Sequence, residues 1–309
     1  MNIKAKITHM KQSTDSPYRT SGVCATFCLV VSGLALLSPV KAQTDVLELI
    51  GSYKVADKSE GFAEPSGLSL SSVDGFLWAV SDEASKLHLL GKDGRLKSSF
   101  KLPEQMGTDL EGVAGRKDGS VLLLQETDRS IVTVHPTDPI TVSATSISSL
   151  KGYETVAAML AQNPLNKGPE GITVDQDTGQ VFVVIEGQPR LLLAISPEID
   201  EIVDAVPLTA KDGFVSPRAT DDELDVSGIA WSGATESLWI LSDKGRRIFV
   251  FDYKSKTTRI LDLIYSKKGD LREVKNPEGI ALDETNGVLY VLTDNGKKSR
   301  LFAFSMPQF

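Results

Sequence analysis

Five times along the chain the same order of positions returns: a small or acidic residue, a glycine, a short apolar stretch, a polar turn, a more strongly apolar stretch, and an acid. The segments are PSGLSLSSVDGFLWAVSDE (65–83), LEGVAGRKDGSVLLLQET (110–127), PEGITVDQDTGQVFVVIEG (169–187), VSGIAWSGATESLWILSDK (226–244) and PEGIALDETNGVLYVLTDN (277–295). Their glycines, Gly67, Gly112, Gly171, Gly228 and Gly279, lie 45, 59, 57 and 51 residues apart. A period of that size, built from short β-type runs, is that of a propeller blade with loop insertions. LWAV, VFVVI and LWIL are apolar on both faces, as strands packed between two neighbouring layers must be. The turns VDG, KDG, QDTG and ETNG suit tight strand connections.

Each repeat supplies two further strands: KLHLLG and RLKSSFKL, SIVTVHP and PITVSATSI, RLLLAIS and EIVDAVPL, RIFVFD and TTRILDLI. The fifth supplies only RLFAF, and VLELIGSYKV (46–55) stands alone ahead of the first repeat. Pairing these two closes a ring and leaves no free edge. The expected fold is therefore all-β, a five-bladed β-propeller closed by an N-terminal strand in the last blade, with six blades the alternative count.

In such a fold the start of each inner strand and the end of the second strand meet on one face. The start positions are Ser66, Glu111, Glu170, Ser227 and Glu278; the end positions are Asp82, Glu126, Glu186, Asp243 and Asp294. Eight of these ten are carboxylates, and like charges so placed raise one another's pKa unless a cation or donor compensates. The functional reading is a hard-cation site, with calcium expected because it takes about 6–8 oxygen ligands. Glu111, Glu170, Glu278, Asp82, Asp243 and Asp294 are its candidate metal ligands; the hydroxyls of Ser66 and Ser227 would orient ligands or water, and Glu126 and Glu186 are further candidate ligand-binding residues. The structural reading is that the end-position acids cap backbone N–H groups of their turns. Asp175 and Asp177 in VDQDTG lack EF-hand spacing.

Three long connections open onto the same face. In 150–168, Tyr153, Val156, Ala157 and Leu160 have helical spacing and predict a short lid helix. Residues 211–225 and 265–276 read as polar loops, and Lys167, Arg218 and Arg272 are candidate contacts for a small anion. Solvated loops are the plain alternative.

Charge narrows the partners. The chain of 309 residues carries 33 basic and 41 acidic residues, a net charge of −8, which disfavours nucleic acid and anionic membrane surfaces. Divalent cations are the natural small partners. Residues 1–20 carry Lys4, Lys6, Lys11 and Arg19 against Asp15, followed by the apolar run Val23 to Leu37 and the small-x-small triplet Val40-Lys41-Ala42. This predicts a signal peptide over 1–42, cut before Gln43, and a single propeller domain over 43–309 in the periplasm or outside the cell. The alternative is an inner-membrane anchor through residues 22–40. Without residues 1–42 the charge becomes −12, and Cys24 and Cys28 leave with the signal, so no disulfide can form.

Catalytic motifs are few. The sequence has no G-x-S-x-G, H-E-x-x-H, P-loop or G-x-G-x-x-G, so an enzymatic role would rest on carboxylates and a bound metal. His88 in LHLL reads as packed, and His135 before Pro136 as a surface residue.

EPSGLS with LWAVSDE, DLEGVA with LLLQE, KGPEGITVD, VSGIAW with LWILSD, and NPEGIALD with LYVLTD resemble the SdiA-regulated (YjiK-like) family of exported bacterial β-propellers. The resemblance covers nearly everything from Val46 onward. It implies a periplasmic or envelope-attached propeller, generally without an assigned reaction. A remoter similarity extends to gluconolactonase-like, NHL-type and phytase-like propellers, the last binding calcium and phosphate on an acidic face; a DDPAIW-type segment is absent here. The expected function is that of an exported calcium-binding platform, non-catalytic and monomeric, sensing or engaging an envelope protein or a small anionic ligand. The alternatives are a metal-dependent hydrolase of phosphoesters or lactones and a metal-free protein-binding scaffold.

Overall fold

A computed structural model describes residues 46–55, 58–162 and 167–308. The signal-peptide or anchor reading of 1–42 lies outside them. Strand β1 (Leu49–Lys54) precedes the first blade, which holds β2 (Pro65–Leu70), β3 (Leu77–Ser81), β4 (Lys86–Leu90) and β5 (Leu96–Lys101). Blade 2 holds β6 (Leu110–Gly115), β7 (Val121–Gln125), β8 (Ser130–His135) and β9 (Thr141–Ser146). A single helical turn, α1 (Ala157–Leu160), leads to blade 3, with β10 (Pro169–Val174), β11 (Val181–Ile185), β12 (Leu191–Ile195) and β13 (Ile202–Pro207). Blade 4 comprises β14 (Gly228–Ser232), β15 (Ser237–Ser242), β16 (Arg247–Asp252) and β17 (Thr257–Asp262). The hairpin β18 (Ile264–Lys267) and β19 (Asp270–Glu273) follows, then β20 (Pro277–Asp283), β21 (Val288–Thr293) and β22 (Arg300–Ser305).

The last sheet has the order β1-β22-β21-β20, so the strand ahead of the first repeat completes the fifth blade. Each of the five sheets is a four-stranded antiparallel meander, and five blades, not six, make the ring. The second strands β3, β7, β11 and β15 are buried along their whole length, whereas the outer strands β5, β9, β13 and β17 show mainly exposed or half-buried positions. This follows from the geometry of a ring, in which inner and second strands meet a neighbour on both faces and outer strands meet water. The apolar core divides accordingly into five layers, one in each seam between adjacent blades. One layer holds Leu124 of blade 2 with Ile172 of blade 3, another Phe182 of blade 3 with Leu238 of blade 4, and a third Trp239 of blade 4 with Leu289 of blade 5. The remaining seams join Trp78 to Val121 and Leu77 to Tyr290.

Two connections differ from their sequence expectation. The segment with helical spacing forms a 3-10 turn (Tyr153–Thr155) and α1, and it buries Val156 and Leu160 in the layer between blades 2 and 3. Its apolar spacing anchors it in the wall, so it is not a free lid. Residues 264–273 are a hairpin and not a loop, because Leu263, Tyr265 and Val274 bury against blades 4 and 5 and align the two polar arms.

Candidate functional site

The inner strands pass closest where the repeat glycines lie. A Cβ on Gly228 would stand 2.6 Å from the carbonyl oxygen of Glu278, and one on Gly112 3.1 Å from the backbone nitrogen of Ile172. Only glycine lets neighbouring inner strands approach to this distance, and the five together form the neck of the central channel. The residue before the glycine occupies a β-bulge in four blades: the register slips between Pro65 and Leu68, Leu110 and Gly112, Pro169 and Gly171, and Pro277 and Gly279. A bulge re-aims its extra residue, and Glu111, Glu170 and Glu278 line the neck as a result, together with Ser227.

The two serines are tied down. Ser66 Oγ donates to the Leu110 carbonyl, and Ser227 Oγ to the Pro277 carbonyl at 2.8 Å, each stitching its blade to the next. Their oxygens retain accepting capacity at the neck, but the hydroxyl protons are committed.

Glu111 forms a cluster with Asp109 and Glu126, in which one oxygen of each carboxylate lies within 4.8 Å of the others. Asp109 has a left-handed backbone (φ 73°), and its Oδ2 accepts from the Thr127 N–H at 2.7 Å and from the Thr127 hydroxyl. Glu126 Oε1 accepts from the Gly168 N–H at 2.8 Å, and its carboxylate is also hydrogen-bonded by Glu170. These donors fix two of the three carboxylates before any ion arrives. The neck environment strongly favours protonation. Burial, reinforced by the charges of Asp82, Glu126, Asp109 and Glu186, pushes the Glu111 carboxyl up to about 8. Glu170 and Glu278 rise well above the usual carboxylate range for the same first reason, burial, with neighbouring acids adding to it. A hard cation would reverse that balance by supplying the missing positive charge.

The end-position acids separate by role. Asp82 is pushed up to about 6 by burial and by Glu64, and its Oδ1 is buried with no hydrogen-bond partner among the described residues. Asp294 caps its own turn, accepting from the Gly296 N–H at 2.9 Å and from the Ser299 hydroxyl at 3.3 Å. Asp243 pairs with Lys244 at 3.2 Å, and Glu186 pairs with Lys167. Asp109 and Asp225 were not singled out from the sequence. Asp225 is buried, accepts from Ser242 Oγ at 2.5 Å and from the Lys244 N–H, and is raised to about 6, chiefly by burial. Both stand three residues before the repeat glycine, where Glu64 stands in the first blade. That recurrence was the available signal.

Beside the neck, Lys167, Arg218, Asp222, Glu223, Asp243, Lys244, Arg246 and Asn276 line an open depression of about 770 Å³. Arg218 is held by Glu273, with Nε to Oε1 at 3.0 Å, and Arg246 by the same carboxylate at 2.7 Å. Arg272 stands exposed on β19, outside this depression. Of the sequence-expected cations, Lys167 and Arg218 therefore share one concavity with the end-position acid Asp243, and Arg272 does not.

The sequence profile of the SdiA-regulated family matches residues 53–296, which span all five blades. The chain belongs to the SdiA-regulated family. Among solved structures, this SdiA-regulated propeller resembles a glutaminyl cyclase from Myxococcus xanthus, with 15% identity, a TM-score of 0.57, and coverage of 84% of this chain and 95% of the other. It also matches virginiamycin B lyase from Staphylococcus aureus at 12% identity and a TM-score of 0.46, over 83% of this chain and 99% of that one. At such identities the first likeness speaks for the propeller fold alone.

Proposed function

We propose that this SdiA-regulated protein is an exported calcium-binding propeller that acts as a non-catalytic sensor or interaction platform in the cell envelope. The observation that carries this reading is the cluster of Asp109, Glu111 and Glu126 at the neck, joined by Glu170 and Glu278, in which burial and then neighbouring acids drive Glu111, Glu126, Glu170 and Glu278 toward protonation. Such a set is costly without a counter-charge and becomes a coordination sphere with one. Asp82, with its unpartnered oxygen, is the nearest addition; Asp294 is committed to its turn and contributes least. The working unit is a monomer, periplasmic or secreted, whose partner is an envelope protein or a small anionic ligand. Among the described residues no helix is long and apolar enough to cross a membrane.

Calcium titration of residues 43–309 by calorimetry, with magnesium as control, tests the site. Saturable calcium binding is expected, reduced at least about tenfold, a loss of ~1.4 kcal/mol, in a Glu111→Gln/Glu170→Gln variant. Absence of heat and of any thermal shift up to millimolar calcium would refute it. A second reading, a metal-dependent hydrolase of phosphoesters or lactones, draws on the depression that sets Lys167, Arg218, Lys244 and Arg246 beside the same acids. Calcium-dependent turnover of a phosphoester or lactone, abolished by Glu170→Gln, would favour it.

A further inference from the structure

The channel has a second end. Leu68, Ile229 and Ile280, which line the neck just past the repeat glycines, also floor a funnel of about 320 Å³ that opens on the face opposite the acids. That volume lies at the lower end of the range of small-molecule sites. One wall is Trp231, half-buried, stacked on Phe182 with ring centres 5.4 Å apart and planes 14° from parallel. Phe182 in turn meets the edge of Tyr253 at 5.2 Å, and the backbone N–H of Trp231 donates to Thr173 Oγ1 at 3.0 Å. The indole is thus fixed before a ligand arrives, which removes the ordering cost of binding against it.

The rim is polar without being basic. Ser69, Ser72 and Gln176 already donate to the carbonyls of Leu70, Arg116 and Gly115, so the rim offers chiefly acceptor oxygens, among them those of Asp175, Asp177 and Glu284. The one ammonium lining the funnel, Lys117, is bound to Asp177 at 2.7 Å. Carboxylate and phosphate ligands therefore meet net negative charge and no unpaired cation. An uncharged ring with one apolar face and a hydroxylated edge meets what it needs: an indole and aliphatic side chains for the face, hydroxyl and carboxylate partners for the edge.

We propose that this funnel is a binding site for a neutral sugar ring, stacked on Trp231 and independent of the acidic neck. The chain has three tryptophans, and Trp78 and Trp239 are buried in the seams, so a change in fluorescence on adding a ligand to the funnel reports on Trp231. The test is a fluorescence and calorimetric titration of residues 43–309 with glucose, N-acetylglucosamine and maltose, with glucose 6-phosphate as the charged counter-probe. At least one neutral sugar is expected to saturate with a millimolar Kd, equally in calcium and in chelator, and more tightly than glucose 6-phosphate. Trp231→Phe, which keeps the stack on Phe182, should weaken binding at least fivefold. Gly233→Tyr should abolish it: a Cβ there meets nothing closer than Glu284 Oε2 at 3.7 Å, so the ring can enter the funnel without disturbing the core. No saturation by any of the three sugars up to about 100 mM would overturn the proposal. So would saturation that Trp231→Phe and Gly233→Tyr leave unchanged, or preference for the phosphorylated sugar. Calcium binding can fail while sugar binding succeeds, and the reverse, so the two readings fall separately.

Discussion

His88 sits fully buried on β4, its Nδ1 3.0 Å from Ser99 Oγ and its ring against Phe62 at 4.8 Å. Burial, with a smaller contribution from the Lys86 charge, lowers its pKa to about 4. The unfolded chain therefore binds the proton first, near pH 6.5, and the stability that neutral His88 contributes is lost as pH falls from there toward 4. The neck carboxyls act in the opposite sense. Their folded pKa values are raised, so without a cation stability falls as pH rises from the ordinary carboxylate range through about 8. Three neck carboxyls outweigh the one histidine where the two titrations overlap, so the Tm of chelated protein should fall as pH rises from about 4.5 to 8. His88→Asn should steepen that fall between about pH 4 and 6.5, by at most about 3 kcal/mol, and leave the slope above pH 6.5 unchanged. Tm against pH for the two proteins checks both signs. At this scale the sequence was half legible. LHLL marked His88 as packed, and the recurrence of glutamate or serine before each repeat glycine marked the neck. Asp109 and Asp225 escaped because their position is an acid in three blades and Gly168 or Asn276 in the others.

Among the elements, the inner strands are where one atom decides most. Gly228→Ala places its methyl 2.6 Å from a backbone oxygen of the next blade, and neither strand can retreat without opening a seam. We expect a loss of about 1–3 kcal/mol, read from denaturant midpoints, against almost none for Gly233→Ala. The connection between blades 3 and 4 depends instead on Arg190, buried at the start of β12. Its Nη1 donates to the carbonyls of Asp221 and Leu224 at 2.6 and 2.9 Å, and its Nη2 pairs with Asp221 Oδ1 at 2.6 Å. Arg190→Lys cannot reproduce that fork. A loss of roughly 1–3 kcal/mol and faster tryptic cleavage after Arg218, on the loop it holds, are the expected outcomes. The strands themselves were readable from alternation and turn chemistry. Gly119, at φ 85°, takes the strained turn position in blade 2, whereas Glu236 takes it at φ 50° in blade 4 and leaves no glycine signature. The hairpin at 264–273 was unreadable for a related reason: SKKGD is polar on both faces, and only the distant burial of Tyr265 and Val274 pairs its arms.

For the molecule as a whole, ring closure is the property that local pattern alone establishes least and repeat counting establishes best. A fifth repeat short of one strand and a solitary strand ahead of the first were enough to join β1 to β22. The acidic mouth and the Trp231 funnel then follow as opposite ends of a single channel, although the funnel carries no repeated motif and was invisible in the sequence. Removing β1 by starting the chain at Val55 leaves β22 as an exposed apolar edge. That variant is expected to run as high-mass aggregates in size-exclusion chromatography at micromolar concentration, where the protein with β1 does not.

The same closure imposes an order in time. The Arg300 guanidinium on β22 donates to the Ser52 carbonyl on β1 at 3.0 Å, yet the two residues stand 248 apart in the chain. The first strand to be made waits for the last, and blades 1 to 4 can each be completed from contiguous chain while blade 5 cannot. At about 5–20 residues per second of synthesis, β1 spends on the order of ten seconds or more without its partner. Any factor that shields nascent chain has its natural target in that interval, and a pause in synthesis late in the gene would lengthen it.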